Sequence, residues 1–294
     1  MMPGCPTAKE STQADAALSL QKPPAHRMKI RLGYDIQFDL PRKLSMVTML
    51  YVHPFRSSEL LEPDTMQVEP DVPVTCYTDG FGNRVGRLVA PAGSLRLYGS
   101  TLLDDDGRLD EVKLDAKEVP VEDLPSSALQ FLLNSRYCEV DRLSFIAQEL
   151  FGHIEPGWGR VQAVCDWVHL KVMFAYGRTR PTKTALDVYT ERTGVCRDFQ
   201  HLAITFCRAL NIPARYVTGY LGDIGVPDKP PMDFSAWFEV YLDDRWWVFD
   251  ARNNQPRLGR VAMAIGRDAS DVAMTTSFGI ANLTGFLVVS EVEP

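Results

Sequence analysis

The sequence lacks three features that would assign a protein to a class at once. No uncharged apolar run approaches the ~18 residues that a membrane-spanning helix requires. Lys and Arg number 31 against 38 Asp and Glu, and the net charge of -7 argues against a general nucleic-acid binder, which needs a basic face. The six cysteines form no CxxC pair and no Cys/His cluster with zinc spacing. We therefore predict no metal or cofactor site, and neither a nucleic acid nor a membrane as partner.

The first 27 residues lack the pattern of a secretion signal. They hold only a short apolar piece, residues 16–20, after acidic and polar residues, whereas a signal peptide combines a basic start with a longer apolar stretch. We predict a flexible tail there, and whether it is translated stays open because Met28 opens the first patterned segment. Cys165 and Cys207 fall within helical apolar stripes, so most cysteines are predicted to be buried free thiols in a reducing cytoplasm.

The segment after the tail shows the alternation of β-strands. Residues 28–38 alternate apolar and polar side chains almost without a break, which is typical of a half-buried antiparallel strand. Shorter candidate strands follow at 46–52, 73–78, 84–90 and 94–100. Short strands separated by Gly, Asp and Asn turns predict a β-sandwich-like N-terminal domain over residues 28–110.

The hydrophobic period changes beyond an acidic and polar stretch, which we predict to be a solvated linker over residues 111–127. Candidate helices start near residue 156 and near Cys196, and another spans about residues 183–192. Candidate strands then follow at 214–221, 234–242, 246–251 and 285–292. Because a chain of 294 residues fits two domains, residues 128–294 are assigned to a second domain, of the α+β class.

Cys196 is the residue of greatest chemical interest. Gly194 lies two residues before it, and a helical apolar stripe that includes Phe199 begins directly after it, so Cys196 is placed at or near a helix N-terminus. The free N–H groups and the dipole at such a position favour an anion and lower the pKa of a thiol. The alternative is a core cysteine on the same stripe as Phe199, because free cysteine is among the most buried residue types.

Several separated motifs strengthen the functional interpretation. They are GVCRDF at 194–199, IPARYVTGY at 212–220, AWFEVY at 236–241 and WWVFDAR at 246–252. In sequence and in order these segments closely resemble the bacterial transglutaminase-like superfamily. The segment DGFGNR at 79–84 resembles part of the β-rich N-terminal domain that accompanies this core in many members. The resemblance extends over about residues 28–290.

The resemblance implies a papain-like core and a Cys-His-Asp triad. The cysteine corresponds to Cys196 and the aspartate to Asp250, but the position of the histidine is occupied by Ser235. A hydroxyl has no useful basicity near neutral pH, so Ser235 cannot accept the thiol proton or stabilise the thiolate as imidazole does. Strand alternation places Trp237 on the same face as Ser235, so Trp237 is predicted either to line the cleft or to pack in the core.

Five histidines are candidates to replace the missing base: His26, His53, His153, His169 and His201. His26 lies in the tail and His53 in the first domain. His201 follows Cys196 by five residues, which turns it about 140° away around the helix, so we expect a structural hydrogen bond there. His169 is expected at the surface or at a boundary, and His153 precedes a helix and is placed where it can approach a cleft.

Two hypotheses of different class follow. In the first, Cys196 acts on amide or peptide bonds through a thioester, by hydrolysis or acyl transfer, and weakly, because general acid–base help is worth about 10²–10⁴-fold. In the second, the chain is a non-catalytic module on the same fold. Both imply a peptide or protein as substrate or ligand, and neither fixes the oligomeric state. A change introduced into the sequence at position 235 is a third, weaker explanation.

Overall fold

The computed structural model describes residues 27–227 and 232–293, so the predicted tail up to residue 26, His26 included, lies outside it. The strands within the described residues are β1 (Met28–Leu40), β2 (Leu44–Thr48), β3 (Gln67–Glu69), β4 (Thr75–Thr78), β5 (Arg84–Ala90), β6 (Gly93–Asp105), β7 (Met173–Phe174), β8 (Thr193–Gly194), β9 (Ala214–Leu221), β10 (Ser235–Leu242), β11 (Arg245–Phe249), β12 (Arg260–Gly266), β13 (Thr275–Ser277) and β14 (Asn282–Val292). The α-helices are α1 (Ser126–Leu129), α2 (Val140–Phe151), α3 (Trp158–Lys171), α4 (Ala185–Glu191) and α5 (Cys196–Ala209). None of these helices has the length and apolar character needed to cross a membrane.

The N-terminal part is a β-sandwich. One antiparallel sheet has the strand order β14-β1-β6-β3 and the other has the order β13-β2-β5-β4. Strand β1 buries Ile30, Leu32 and Ile36 between the sheets, where they meet Met46 and Leu88 of the second sheet. The alternation seen in the sequence is therefore the alternation between the core and the outer face of this sheet, and the predicted sandwich is confirmed.

The second part is a helical layer packed on an antiparallel sheet of order β11-β10-β9-β12. Helix α5 is the central helix, and its apolar stripe, with Phe199 and Leu202, packs on Ala236 and Phe238 of β10. Helices α2, α3 and α4 surround α5, so α5 is buried almost along its whole length. This is the papain-like arrangement that the resemblance implies, and the predicted α+β class is confirmed.

The domain bounds differ from the prediction at the C-terminus. Strand β14 pairs antiparallel with β1, with Tyr34 opposite Val288, and β13 pairs with β2. The assignment of residues 128–294 to the second domain is therefore corrected, because residues 275–292 return to the sandwich. Alternation in the sequence shows which side chains share a face but not which strand is the partner.

Most side chains of the predicted linker are exposed, as expected, but the segment is also fixed to the second part of the fold. Ala116 is buried in the core of the second part, and its carbonyl oxygen accepts a hydrogen bond from the N–H of Trp158 at 2.9 Å. The carbonyl oxygen of Lys117 accepts the N–H of Asp243 at 2.8 Å, in the turn between β10 and β11, and the N–H of Lys117 donates to Oδ1 of Asp243 at 3.0 Å. The polar composition fits the exposed side chains, and these backbone bonds fix the path of the segment.

Candidate active site

Cys196 is the first residue of helix α5. Asp198, which is fully buried, accepts the N–H of Val195 at 3.0 Å and so caps the free end of the helix. A Cβ built on Gly194 would lie 2.5 Å from the Cβ of Asp198, so glycine is required for the chain to approach the cap this closely. Local sequence thus fixes the cysteine at the helix N-terminus.

The Cys196 sulfur faces a cleft of about 630 Å³, a size typical of ligand sites. We call it the Cys196 cleft, and its lining includes Cys196, Ser235, His169, Phe174, Tyr176, Phe234, Asp233, Arg252, Asn253 and Arg257. Aromatic rings form much of its apolar wall. The charged groups lie beside the sulfur, so the cleft offers both contact area and polar recognition.

Ser235 lines this cleft, whereas Trp237 does not. Ser235 is the first residue of β10 and pairs with Gly219, at the end of the strand where the cleft begins. Trp237 is buried further along the strand, on the opposite side of the sheet from α5, where it packs with Val217 and Ala262. The interpretation of Trp237 as a cleft-lining residue is therefore corrected to core packing. The alternation is as predicted, but Trp237 packs on that face among side chains of the neighbouring strands β9 and β12.

Asp250 directly follows β11 and is fully occupied by hydrogen bonds. Its Oδ1 accepts from the N–H groups of Arg252 at 2.9 Å and Asn253 at 3.0 Å, and from Nε2 of Gln200 at 3.0 Å. Its Oδ2 accepts from Nδ2 of Asn253 at 2.8 Å and from Nη2 of Arg260 at 2.9 Å. Burial opposes ionisation, but Arg260 and the Asn253 bonds outweigh it and lower the pKa of Asp250 below its usual value. Asp250 is an ionised carboxylate whose partners are all supplied by the fold.

Gln200 is the residue that sequence reasoning missed. It lies one helical turn after Cys196, on the same face of α5, and is completely buried. Its Nε2 donates to the carbonyl oxygen of Ala236 at 3.1 Å as well as to Asp250, and its Oε1 accepts the N–H of Ala251 at 3.2 Å. This side chain therefore ties the cysteine helix to the two strands that bring Ser235 and Asp250 near it. The i, i+4 spacing from Cys196 was the available signal.

The surroundings of Cys196 hold its thiol in the protonated form. Burial and the negative charge of Asp233 raise the pKa of the Cys196 thiol to about 11. Arg252 and the backbone N–H of Arg197 act in the opposite direction without reversing the rise. The helix terminus alone does not produce a thiolate at neutral pH.

The histidines of the described residues do not form a triad. His201 is buried, stacks on Tyr137 with ring centroids 4.9 Å apart, and accepts the N–H of Ala269, in line with a structural role. His53 is buried at the start of a short 3-10 helix of the first part, and His153 is exposed away from the cleft. His169 was expected at the surface or at a boundary. It is exposed but lines the Cys196 cleft, with Nδ1 2.9 Å from the carbonyl oxygen of Arg252.

The chain is similar to several known proteins. A family model described as the transglutaminase-like superfamily matches residues 145–251. The uncharacterized protein ML0607 of Mycobacterium leprae is 32% identical over 209 residues, which span 67% of this chain and 73% of that protein. The uncharacterized protein Rv2569c of Mycobacterium tuberculosis is 31% identical over 115 residues, 36% of this chain and 37% of that protein. A crystal structure described as "a Putative Cysteine Protease from Cytophaga hutchinsonii" is 33% identical, has a TM-score of 0.79, and 91% of each chain is covered.

Proposed function

The chain belongs to the transglutaminase-like superfamily, and from this premise we propose that it binds a peptide or protein segment in the Cys196 cleft without fast catalysis. The family and the likeness to the Cytophaga structure support a thiol-dependent function in general terms. The finer proposal rests on the site of this chain, because a fold alone does not fix an activity.

The proposal rests on the state of Asp250. Both of its carboxylate oxygens already accept hydrogen bonds from other residues of the protein, and Ser235 has no imidazole that Asp250 could orient. Fast thiol catalysis needs a base that takes the thiol proton and later protonates the leaving amine. With the pKa of Cys196 at about 11, the thiolate is a minor species at neutral pH. The cleft retains its aromatic walls and charged groups, which suffice for binding.

A second candidate is slow acyl chemistry at Cys196. Two observations favour it: the sulfur lies at a helix N-terminus, and His169 lines the same cleft. In this case the sulfur attacks a carbonyl carbon, the amine leaves with the thiol proton carried by water, and water or an amine resolves the thioester. We expect any such activity to be weaker by roughly 10²–10⁴-fold than with a positioned base.

The experiment uses the full chain and a library of immobilised heptapeptides. Binding is compared between the native protein, Cys196→Ser and, as a matched surface control, Leu170→Ala, which changes an exposed residue of α3 outside the cleft. Binding that survives Cys196→Ser supports the binding module. An acyl adduct on Cys196, detected by mass spectrometry and absent in Cys196→Ser, supports the slow enzyme. No binding and no adduct would contradict both candidates.

We also propose that the protein works in a reducing cytoplasm. Cys138, Cys165 and Cys207 are free thiols within the packed core. Buried free thiols of this kind are typical of proteins that fold in a reducing compartment.

A further inference from the structure

Arg252 lines the Cys196 cleft and carries a positive charge that no carboxylate of the described residues pairs with. Its guanidinium carbon lies 4.1 Å from the centroid of the Phe174 ring, and its Nη1 donates to Oδ1 of Asn253 at 3.0 Å. Within residues 27–227 and 232–293 no carboxylate forms an ion pair with it. Arg257, in the same cleft, differs because it lies 3.6 Å from Oδ1 of Asp223.

The Nε of Arg252 is buried and has no hydrogen-bond partner among the described residues. A buried guanidinium N–H without an acceptor is costly, because its lost hydration is not replaced. The Asn253 bond occupies Nη1, and among the described residues Nε and Nη2, on one edge of the planar group, have no hydrogen-bond acceptor. A carboxylate in the cleft can accept a charge-assisted hydrogen bond from Nη2, which is not buried.

We infer that Arg252 recognises a carboxylate of the segment bound in the Cys196 cleft, either an acidic side chain or a chain terminus. The inference rests on the proposed function and names the chemistry of its ligand. The stack on Phe174 and the Asn253 bond hold the guanidinium in place before the ligand arrives, so little side-chain freedom is lost on binding.

Asp233 limits how much negative charge the cleft accepts. It lines the same cleft, forms no ion pair with Arg252, and its charge acts on the Cys196 sulfur. A second acidic group beside Asp233 would be repelled, whereas an N–H donor of the ligand would be attracted. The ligand is therefore a segment with one carboxylate at Arg252 rather than a polyacidic chain.

The test measures dissociation constants of three matched heptapeptide libraries for the full chain. The first has Glu at the central position and an amidated C-terminus, the second has Gln there and the same amide, and the third has Gln and a free C-terminal carboxylate. The variants are Arg252→Met and Arg252→Lys, with Arg245→Met as control. Arg245 carries the same charge but is about half exposed, pairs with Glu111 and does not line the Cys196 cleft.

We expect the native protein to bind one of the two carboxylate libraries about ten-fold more tightly than the neutral library, as for a charge-assisted bond. The carboxylate library that binds more tightly shows whether the recognised carboxylate belongs to a side chain or to a chain terminus. Arg252→Met should remove the preference while retaining neutral-peptide binding, Arg252→Lys should keep part of it, and Arg245→Met should match the native protein.

The outcomes separate this inference from the proposed function. Equal binding of all three libraries by the native protein would overturn the role of Arg252 and leave the binding module intact. A preference that persists in Arg252→Met would also overturn it. The absence of binding by every library would overturn both proposals. In each variant, binding of the carboxylate libraries is compared with binding of the neutral library. A folding defect weakens the binding of all three libraries alike, so it differs from the loss of a preference.

Discussion

Nη2 of Arg260 donates to Oδ2 of Asp250 at 2.9 Å, and both side chains are almost completely buried. The same guanidinium binds Asp110 through Nε at 2.8 Å, so a residue at the edge of the predicted linker is tied to the candidate site. The carboxylate that the family resemblance associates with a histidine is thus neutralised by an arginine of β12. This pairing makes Asp250 a structural anchor in this chain.

Removal of that arginine should destabilise the protein. Arg260→Met leaves Asp250 buried without its cation, and breaking a buried pair in this way costs about 3–5 kcal/mol of unfolding free energy. The measurement is urea unfolding at pH 7. The control is Arg96→Met, which breaks a partly exposed ion pair with Asp35 and should cost about 1 kcal/mol or less. Equal losses in the two variants would contradict the assigned importance of the buried pair.

The difference between native and Arg260→Met should shrink in acid. In the native protein the pKa of Asp250 is lowered, so its stabilisation is present above the unfolded pKa and is lost as the pH falls through the folded pKa. Without Arg260, the largest remaining influence is burial, which raises the pKa of Asp250 and lets the carboxyl group protonate at higher pH. Unfolding free energies at pH 7, 5 and 3 test this. If the difference in unfolding free energy between the two proteins is the same at all three pH values, the lost stability comes from packing rather than from charge.

Ser235→His should increase the reactivity of Cys196. An imidazole at this position lines the cleft and can accept the thiol proton, but the occupied oxygens of Asp250 do not orient it, so we expect only about a ten-fold faster alkylation by iodoacetamide at pH 7. The control is Ser235→Ala, which should match the native rate. Mass spectrometry of the Cys196 peptide measures the rate. Rapid alkylation of the native protein would show that another group already activates the thiol and would contradict the unactivated site.

Asp233→Asn should shift the pH profile of Cys196 alkylation toward lower pH. The native profile should have its midpoint near the thiol pKa of about 11, because burial and the charge of Asp233 both raise it. Removing that charge favours the thiolate, so the midpoint falls. The exposed Cys76 gives an internal reference in each sample, and Asp71→Asn, an exposed change in the first part, is the control. An unchanged midpoint would show that the charge of Asp233 does not act on the Cys196 sulfur.

Much of the local structure could be predicted from the sequence, because it depends on neighbouring residues. The bounds predicted for β5 and β9 coincide with the observed strands, and helix α5 begins at Cys196 as its stripe indicates. The signals were alternation, helical period and glycine before the cysteine, all of which act within a few residues.

The long-range contacts could not be predicted in the same way. The pairing of β14 with β1 joins strands more than 200 residues apart, and either strand alone is compatible with several partners. The bonds of Asp250 come from Gln200, Asn253 and Arg260, which lie on different elements. These residues come together only because α5 packs on the sheet. The sequence therefore indicates that Asp250 is present but not that both of its oxygens are occupied by hydrogen bonds.

His53 should make the folded state less stable as the pH falls below 6.5. Burial, with a smaller contribution from Arg215, lowers the pKa of His53 from its ordinary value of 6.5 to about 4. The unfolded chain therefore binds a proton at this site from pH 6.5 downward while the folded protein does not, and stability is lost between pH 6.5 and 4. In the native protein the N–H of Phe55 donates to Nδ1 of His53. His53→Asn keeps a side-chain acceptor for this N–H but removes the titrating imidazole. Between pH 6.5 and 4.5 we expect this variant to lose about 2 kcal/mol less unfolding free energy than the native protein, whose slope cannot exceed about 1.4 kcal/mol per pH unit per proton. The exposed His153→Gln is the control and should follow the native curve, and a native-like slope in His53→Asn would show that His53 is protonated equally in both states.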